Sequence, residues 1–472
     1  MAWGDGHRGG TGNVRRRPLL QGALMLMAAG AATRAIGTLY RIVIVRWAGP
    51  EALGLYQMVM PVYRMASAMA TLRLPVALTR VTAEELARGN PDEVVRARRA
   101  TAVLIAVMTL LTAGALMAMT PFLARRYLTD PRTEILLWLL PLAIVPSALT
   151  GIFRGYAEGR QNMRSTAVGQ VVEQLVRVPA VLVLLSAWAG RGVEQAAAAL
   201  VLGLGAGETA GLFTAMALSG WWLVSRNRAP HGGQRSRTRR GFGQFSRPVF
   251  LVFDQLRVAR SLLAMSLPLW ATTMVNTAAQ VINVGLIPRR LLAAGASLTE
   301  ATEAYGQLTG MVLPLLYMPM LLVFPVATVL TPAIADAWAA GQRERARRRF
   351  LLATAGAIGV GLATLTVFRA FPDAVPRVLY GAPDIAPLVG VAGIVAPFAY
   401  VASIFASVLY ALGKTQLLFG TFSLATAVRL GLIYVLTADP DLRIAGALWA
   451  IAADYALTAL LNGWACVAHL RR

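Results

Sequence analysis

Five arginines and two glutamates lie inside stretches of this chain that are otherwise apolar, and their spacing is helical. Arg34, Gly37, Thr38 and Arg41 follow i, i+3, i+4, i+7 and therefore share one helix face. Gln57, Pro61 and Arg64 do the same in the next apolar stretch, with Arg73 further along it. Gln170, Glu173, Gln174 and Arg177 form a polar stripe on which Glu173 and Arg177, four residues apart, can pair. Glu208 stands alone in a later stretch. In the second half, Thr273, Asn276, Gln280 and Asn283 make a neutral polar face, and the only other embedded charges are Arg429 and Asp454. An ionisable group at membrane depth costs about 2.5–3.5 kcal/mol by insertion scales, so such groups face a cavity or a partner. Arginine binds phosphate oxygens bidentately, and an excess of arginine over acid suits an anionic substrate. The candidate substrate-binding residues are therefore Arg34, Arg41, Arg64, Arg73, Glu173, Arg177, Asn276 and Gln280. Several have a competing role. Arg41, Arg46 and Arg73 can snorkel to the headgroups, Glu173–Arg177 can be a packing salt bridge, and the Asn276 face can serve interhelical hydrogen bonding. Arg34, nearest mid-span, is the hardest to explain by snorkelling.

The elements that position these residues follow from composition. Of 472 residues 57% are apolar and 14% charged, with mean hydropathy +0.59, which specifies an integral membrane protein. Apolar runs long enough to cross a bilayer fall at about 19–44, 52–78, 100–123, 134–156, 166–188, 195–224, 261–287, 304–334, 350–371, 385–411, 416–437 and 444–469. The expected fold is an all-α polytopic membrane protein of about 12 transmembrane helices. The first run follows Arg15–Arg17 in the manner of a signal peptide, but it continues past Arg34 to spanning length and is expected to stay as the first helix. Loop Arg and Lys favour the N-terminal side by about three to one, which places both termini in the cytoplasm. The net charge of +23 sits in short runs between apolar spans, so nucleic acid is not an expected partner. One cysteine, Cys466, excludes an internal disulfide, and none of the three histidines lies in mid-span, so no metal site is expected. No phosphate-binding G-x-x-x-x-G-K-[ST], H-E-x-x-H or G-x-S-x-G motif is present, and the chain is not expected to be an enzyme.

The chain repeats at an offset of about 250 residues. LPVALTRVTAEELARGN (74–90) matches FPVATVLTPAIADAWAAGQ (324–342), and each runs into an arginine cluster. Pro146, Tyr156, Gly159 and Gln161 are echoed by Pro397, Tyr410, Gly413 and Gln416. Six spans separate equivalent points, so the halves share one orientation, as in transporters whose two lobes rock about a central cavity. The expected organisation is a basic cytoplasmic N-terminus (1–18), an N-lobe (19–224), a basic cytoplasmic linker (225–260) that meets anionic membrane lipids, and a C-lobe (261–472).

RGYAEGRQNM (154–163) followed by TAVGQVVEQLVRV (166–178) resembles the stage V sporulation protein B family. That family belongs to the multidrug/oligosaccharidyl-lipid/polysaccharide (MOP) flippase superfamily, alongside the MurJ-type lipid II flippases. ATRAIGTLYRIVIVRWAGPEALGLYQMVMPVY (32–63) and LPVALTRVTAEELARGN are similar to the same family. The resemblance implies a V-shaped fold of two six-helix lobes in the cytoplasmic membrane. It implies a flippase that moves an undecaprenyl-diphosphate-linked saccharide, lipid II first among them, by alternating access. In MurJ-like proteins first-helix arginines line the central cavity; Arg34 stands at the matching position, and Arg41 matches within the sporulation family. The two further C-terminal helices of MurJ-type and many sporulation-type members are not expected here, nor are the acidic seventh- and eleventh-helix residues of a MurJ-like sodium site found. The resemblance implies no cofactor, and a coupling cation, Na+ or H+, has no assigned ligands. Cell-wall synthesis proteins are conceivable partners. Three readings compete: a Wzx-like flippase for another polysaccharide, a MATE-like cation-coupled drug antiporter, which predicts acids in the cavity, and a scaffold acting through the basic 225–260 loop.

Overall fold

A computed structural model describes residues 12–220 and 248–470, without the side chains of 12–24, 27 and 248–256. Eleven of its helical stretches are long and apolar enough to cross a membrane. The first of these, Ala28–Ala87, covers two of the expected spans, so the described helices account for all twelve.

The first two spans lie in one helical path, α1 (Gly12–Thr71), which turns at Gly49 (φ 78°). Glycine takes this positive φ without a Cβ clash, and Pro50 after it is preset to begin the next helix. The second span was expected to run unbroken over 52–78. Instead it breaks where Leu72 and Arg73 adopt left-handed φ values of 46° and 56°, and α2 (Leu74–Ala87) begins with Pro75 in its first turn. Then come α3 (Pro91–Phe122), a π-helical turn at Leu123–Tyr127, α4 (Thr133–Leu139), α5 (Pro141–Gly159), α6 (Met163–Ala187) and α7 (Val193–Leu218). Of the expected linker, 225–247 lies outside the described residues, as does most of the N-terminal segment 1–18. Residues 248–260 are already helical, because α8 spans Pro248–Ala293.

The expected eighth span is also broken. α9 (Leu298–Gly306) starts at a capping box, in which the Ser297 hydroxyl accepts from the Glu300 N–H at 3.2 Å and the Ser297 N–H donates to Glu300 Oε2 at 2.8 Å. A π-helical stretch (Gln307–Val312) leads into α10 (Leu313–Tyr317) and, past Pro319, α11 (Met320–Ala339). The chain finishes with α12 (Arg343–Ala370), α13 (Ala374–Tyr380), α14 (Ala386–Ala411), α15 (Thr415–Leu436) and α16 (Arg443–Leu470).

Backbone turns and hydrogen bonds repeat along the chain. Gly89, Thr129 and Gln161 have positive φ, and so do Gly341, Gly381 and Gly413, each 252 residues later. The Thr79 hydroxyl donates to the carbonyls of Pro75 and Gly155, both at 3.0 Å. The Thr331 hydroxyl, 252 residues on, donates to those of Ala327 and Ser407 at 3.2 and 3.5 Å. The register of the repeat is therefore 252. Matching Pro75 to Pro325 by letter is two residues out of step with the hydrogen bonds.

Contacts group the chain into two compact units. The first takes the described residues of Met1–Gly37, Met60–Pro121 and Glu134–Ala278; the second takes Thr38–Val59, Phe122–Thr133 and Ala279–Arg472. Both carry many exposed large apolar side chains, such as Leu110 and Phe213 in the first and Trp464 and Leu460 in the second. Water does not tolerate this much apolar surface, and a bilayer does.

Candidate functional site

In the first unit, five polar side chains from four helices meet. α6 supplies Glu173 and Arg177 on one face, α7 supplies Glu208, the C-terminal part of α5 supplies Arg154, and the stretch of α1 after Gly49 supplies Tyr63. Arg177 Nη2 pairs with Glu173 Oε1 and lies 3.5 Å from Glu208 Oε1. Arg154 Nη2 approaches Glu173 Oε2 at 3.3 Å, and the Tyr63 hydroxyl donates to Glu208 Oε1 at 3.1 Å. Two arginines thus balance two glutamates, and all four charged side chains are at least three-quarters buried.

A run of small residues lets helices approach closely around these charges. α7 contains Gly203, Gly207 and Gly211, one per turn, along its α6 face. A Cβ on Gly203 would meet Val181, one on Gly207 would lie 2.9 Å from the Glu173 carbonyl oxygen and from Arg177 Cβ, and Gly211 faces Glu173. As 203 faces 181, 207 faces 177 and 211 faces 173, the two helices run antiparallel in a fixed register, with the polar stripe of α6 laid into the glycine groove of α7. Small-residue grooves of this kind are the usual means of close helix packing in membranes. Gly207→Ala is expected to destabilise the protein by about 2 kcal/mol through overpacking against backbone, to be read as a lower melting temperature of the detergent-purified protein.

The second unit holds a related pair. Arg429 lies 252 residues after Arg177, and its Nη1 is 2.8 Å from Asp454 Oδ2. In both halves, then, an arginine at the equivalent position on the fifth span (α6 and α15) pairs with an acid on the sixth (α7 and α16). The Tyr317 and Tyr455 hydroxyls are 3.0 Å apart beside it. Among the described residues, no three His, Cys, Asp or Glu side chains come close enough together to hold a metal ion.

Of the eight residues expected to bind substrate, the structure brings Glu173 and Arg177 together. Arg34 and Arg64 are exposed on α1 in the first unit, and Arg73 is exposed at the left-handed break between α1 and α2. Arg41 is half-buried and belongs to the second unit. Asn276, exposed in the first unit, donates from Nδ2 to the Thr272 carbonyl at 2.9 Å, and Gln280 is half-buried in the second. Arg154 and Tyr63 were missed. Arg154 looks like part of a basic turn with Arg160 and Arg164, but α5 runs on to Gly159 and keeps Arg154 on the helix, one turn inside. The glycine spacing of α7 was the available sign that polar groups on α6 would be met there.

Residues 19–338 match the family described as Polysaccharide biosynthesis protein. Stage V sporulation protein B of Bacillus subtilis (strain 168) is 29% identical over 452 residues, covering 95% of this chain and 83% of that protein. The lipid II flippase MurJ of the same organism is 25% identical over 177 residues, 36% of this chain and 32% of its own. Among solved structures, a multidrug resistance MATE family transporter of the MOP superfamily, in its inward-facing conformation, superposes with a TM-score of 0.67 at 14% identity, covering 93% of this chain and 94% of that one. The expected all-α polytopic fold of the MOP type is thus the one found. With most of its length matched, the chain belongs to the polysaccharide biosynthesis protein family and has the fold of MOP-superfamily transporters.

Proposed function

We propose that the chain is a flippase that moves a polyprenyl-diphosphate-linked saccharide, lipid II first among the candidates, across the cell membrane by alternating access. The observation that supports this most is the distribution of charge in the first unit. Its embedded acids, Glu173 and Glu208, are bound by Arg154 and Arg177, and the same unit carries further arginines, Arg34 and Arg64 exposed on α1 and Arg73 exposed at the break after it, so arginine exceeds acid there. Arginines on membrane-crossing segments face the bundle interior, a water-filled cavity or a partner in preference to lipid tails. The guanidinium fork fits diphosphate oxygens.

On this reading the diphosphate is drawn to Arg34, with Arg41, Arg64 and Arg73 along its route and the polyprenyl chain left in lipid. Glu173 and Arg177, with Arg154 and Glu208, hold the helices that present these arginines. Asn276 and Gln280 offer neutral hydrogen-bonding groups to the saccharide. With both termini cytoplasmic, a membrane potential negative inside favours export of an anion by about 2.3 kcal/mol per charge per 100 mV. Arginine neutralises part of that charge, so a coupling cation, Na+ or H+, remains part of the proposal. The chain acts as a transporter and not as an enzyme, and its remaining contacts are anionic membrane lipids.

The test is lipid II exposure at the outer face of cells depleted of their own flippase and supplied with this chain. Restored exposure is expected. No restoration by stable, membrane-inserted protein would remove lipid II from the reading.

A further inference from the structure

A second polar cluster lies in the second unit and has no part in the first cluster or in the proposed cargo route. The Asp130 carboxylate is fully buried in the loop between the third and fourth spans. Arg132 grips it with both ends of its guanidinium, Nε to Oδ1 at 3.1 Å and Nη2 to Oδ2 at 2.8 Å, while its own N–H donates to Oδ1 at 3.0 Å. The remaining Nη1 of Arg132 reaches Glu51 Oε1 at 2.6 Å. Asp130 raises the Arg132 guanidinium above its ordinary pKa, chiefly through this hydrogen bonding, so the arginine stays charged. Finally the Thr302 hydroxyl, also fully buried, donates to Asp130 Oδ2 at 2.8 Å.

The chain path says what this cluster joins. Glu51 opens the second span, Asp130 and Arg132 follow the third, and Thr302 opens the eighth. Counted from the N-terminus, the connections between spans one and two, three and four, and seven and eight all emerge on the face opposite that terminus. All four residues belong to the second compact unit. The cluster therefore ties two connections of the first half of the repeat to one of the second half. The backbones touch at the same place. A Cβ on Gly54 would fall 2.1 Å from the Thr302 carbonyl oxygen, and one on Gly306 would fall 2.2 Å from that of Pro50. Two further ties lie on this face within the unit: Arg46 Nε to the Leu379 carbonyl at 3.1 Å and the Tyr127 hydroxyl to the Val281 carbonyl at 3.0 Å.

We propose that the hydrogen bond from Thr302 to Asp130, with Asp130 held in place by Arg132 and Glu51, is a latch that holds the two halves of the repeat together on the face opposite the N-terminus and must part when the protein opens on that face. The proposal rests on the alternating-access reading above, but its geometry is independent of the cargo. The ion pairs of Arg132 with Asp130 and Glu51 lie within the first half and hold the carboxylate toward Thr302, so the side-chain contact that parts is a single charge-assisted hydrogen bond, which fixes register without locking the closed state irreversibly. The glycine seam makes the closed state a discrete one, since the two backbones either meet or part.

The experiment is site-directed labelling of the full-length protein in proteoliposomes, with buried Cys466 replaced by serine and fully buried Ala301, next to Thr302, replaced by cysteine. A membrane-impermeant maleimide reports opening of the seam. Asp130→Asn is expected to raise the labelling rate about tenfold or more, equivalent to roughly 1.4 kcal/mol or more of lost closed-state preference. Thr302→Val, which removes the hydrogen bond between the halves and leaves Asp130, Arg132 and Glu51 bonded, is expected to raise it by a smaller factor and serves as the deciding variant if Asp130→Asn does not fold. Unchanged labelling in a folded, monodisperse variant overturns the latch. Faster labelling in a protein that moves no polyprenyl-diphosphate lipid keeps the latch and overturns the proposed function instead.

Discussion

Arg177→Ala should cost the protein about 3 kcal/mol or more of stability, the usual penalty for stripping one partner from a buried ion pair. Arg177 pairs with Glu173 and lies within 3.5 Å of Glu208. Without it, two carboxylates share one remaining arginine, Arg154, and the tyrosine hydroxyl of Tyr63. The attraction lost matters less than the charge left behind in a site with little water. The prediction is checked by thermal unfolding in detergent, followed by size-exclusion chromatography. Arg177→Ala combined with Glu208→Gln restores charge balance and should recover part of the loss, with a coupling energy of about 0.5–3 kcal/mol in the double-mutant cycle. Additive losses would mean that the two side chains do not interact.

Arg34→Ala is expected to behave oppositely, sparing the fold and abolishing most of the transport. Arg34 is exposed on α1, so its removal opens no cavity. Its proposed work is in charge-assisted hydrogen bonds to a diphosphate, worth about 1.5–3 kcal/mol, which sets the expected loss of initial transport rate at about ten- to a hundredfold. Arg34→Lys keeps the charge but not the planar fork, and should restore the rate only in part. Equal rates for wild type and Arg34→Ala, at equal protein in the membrane, would show that Arg34 does not meet the cargo.

Much of this molecule could be read from its sequence, and the exceptions have physical causes. Span positions follow from hydropathy, which depends on local composition alone. The repeat was visible because Gly and Pro recur where helices end and begin, as at Gly89 and Gly341; by letter, though, Gly159 pairs with Gly413 and Gln161 with Gln416, two and three residues off the register in which Gln161 and Gly413 make the same turn. The break at Leu72–Arg73 was not read, because leucine and arginine carry no sign of a left-handed conformation; Pro75 was the one hint that a new helix starts there. Glu173–Arg177 was legible as an i, i+4 pair. Arg154 and Tyr63 join it through packing of four helices, and the loop cluster of Asp130, Arg132, Glu51 and Thr302 joins residues up to 251 positions apart. No local pattern encodes contacts of that range. The same limit applies to Arg429 and Asp454, which read as isolated charges and turn out to be partners.

The most direct test of the central claim is translocation by the purified protein in proteoliposomes, offered in parallel a fluorescent polyprenyl-diphosphate saccharide and a fluorescent organic cation. The account predicts that the diphosphate lipid crosses, that Arg34→Ala stops most of that crossing, and that the cation is not moved. Movement of the cation down an applied ion gradient, with the diphosphate lipid left in place, would contradict it and favour a drug antiporter.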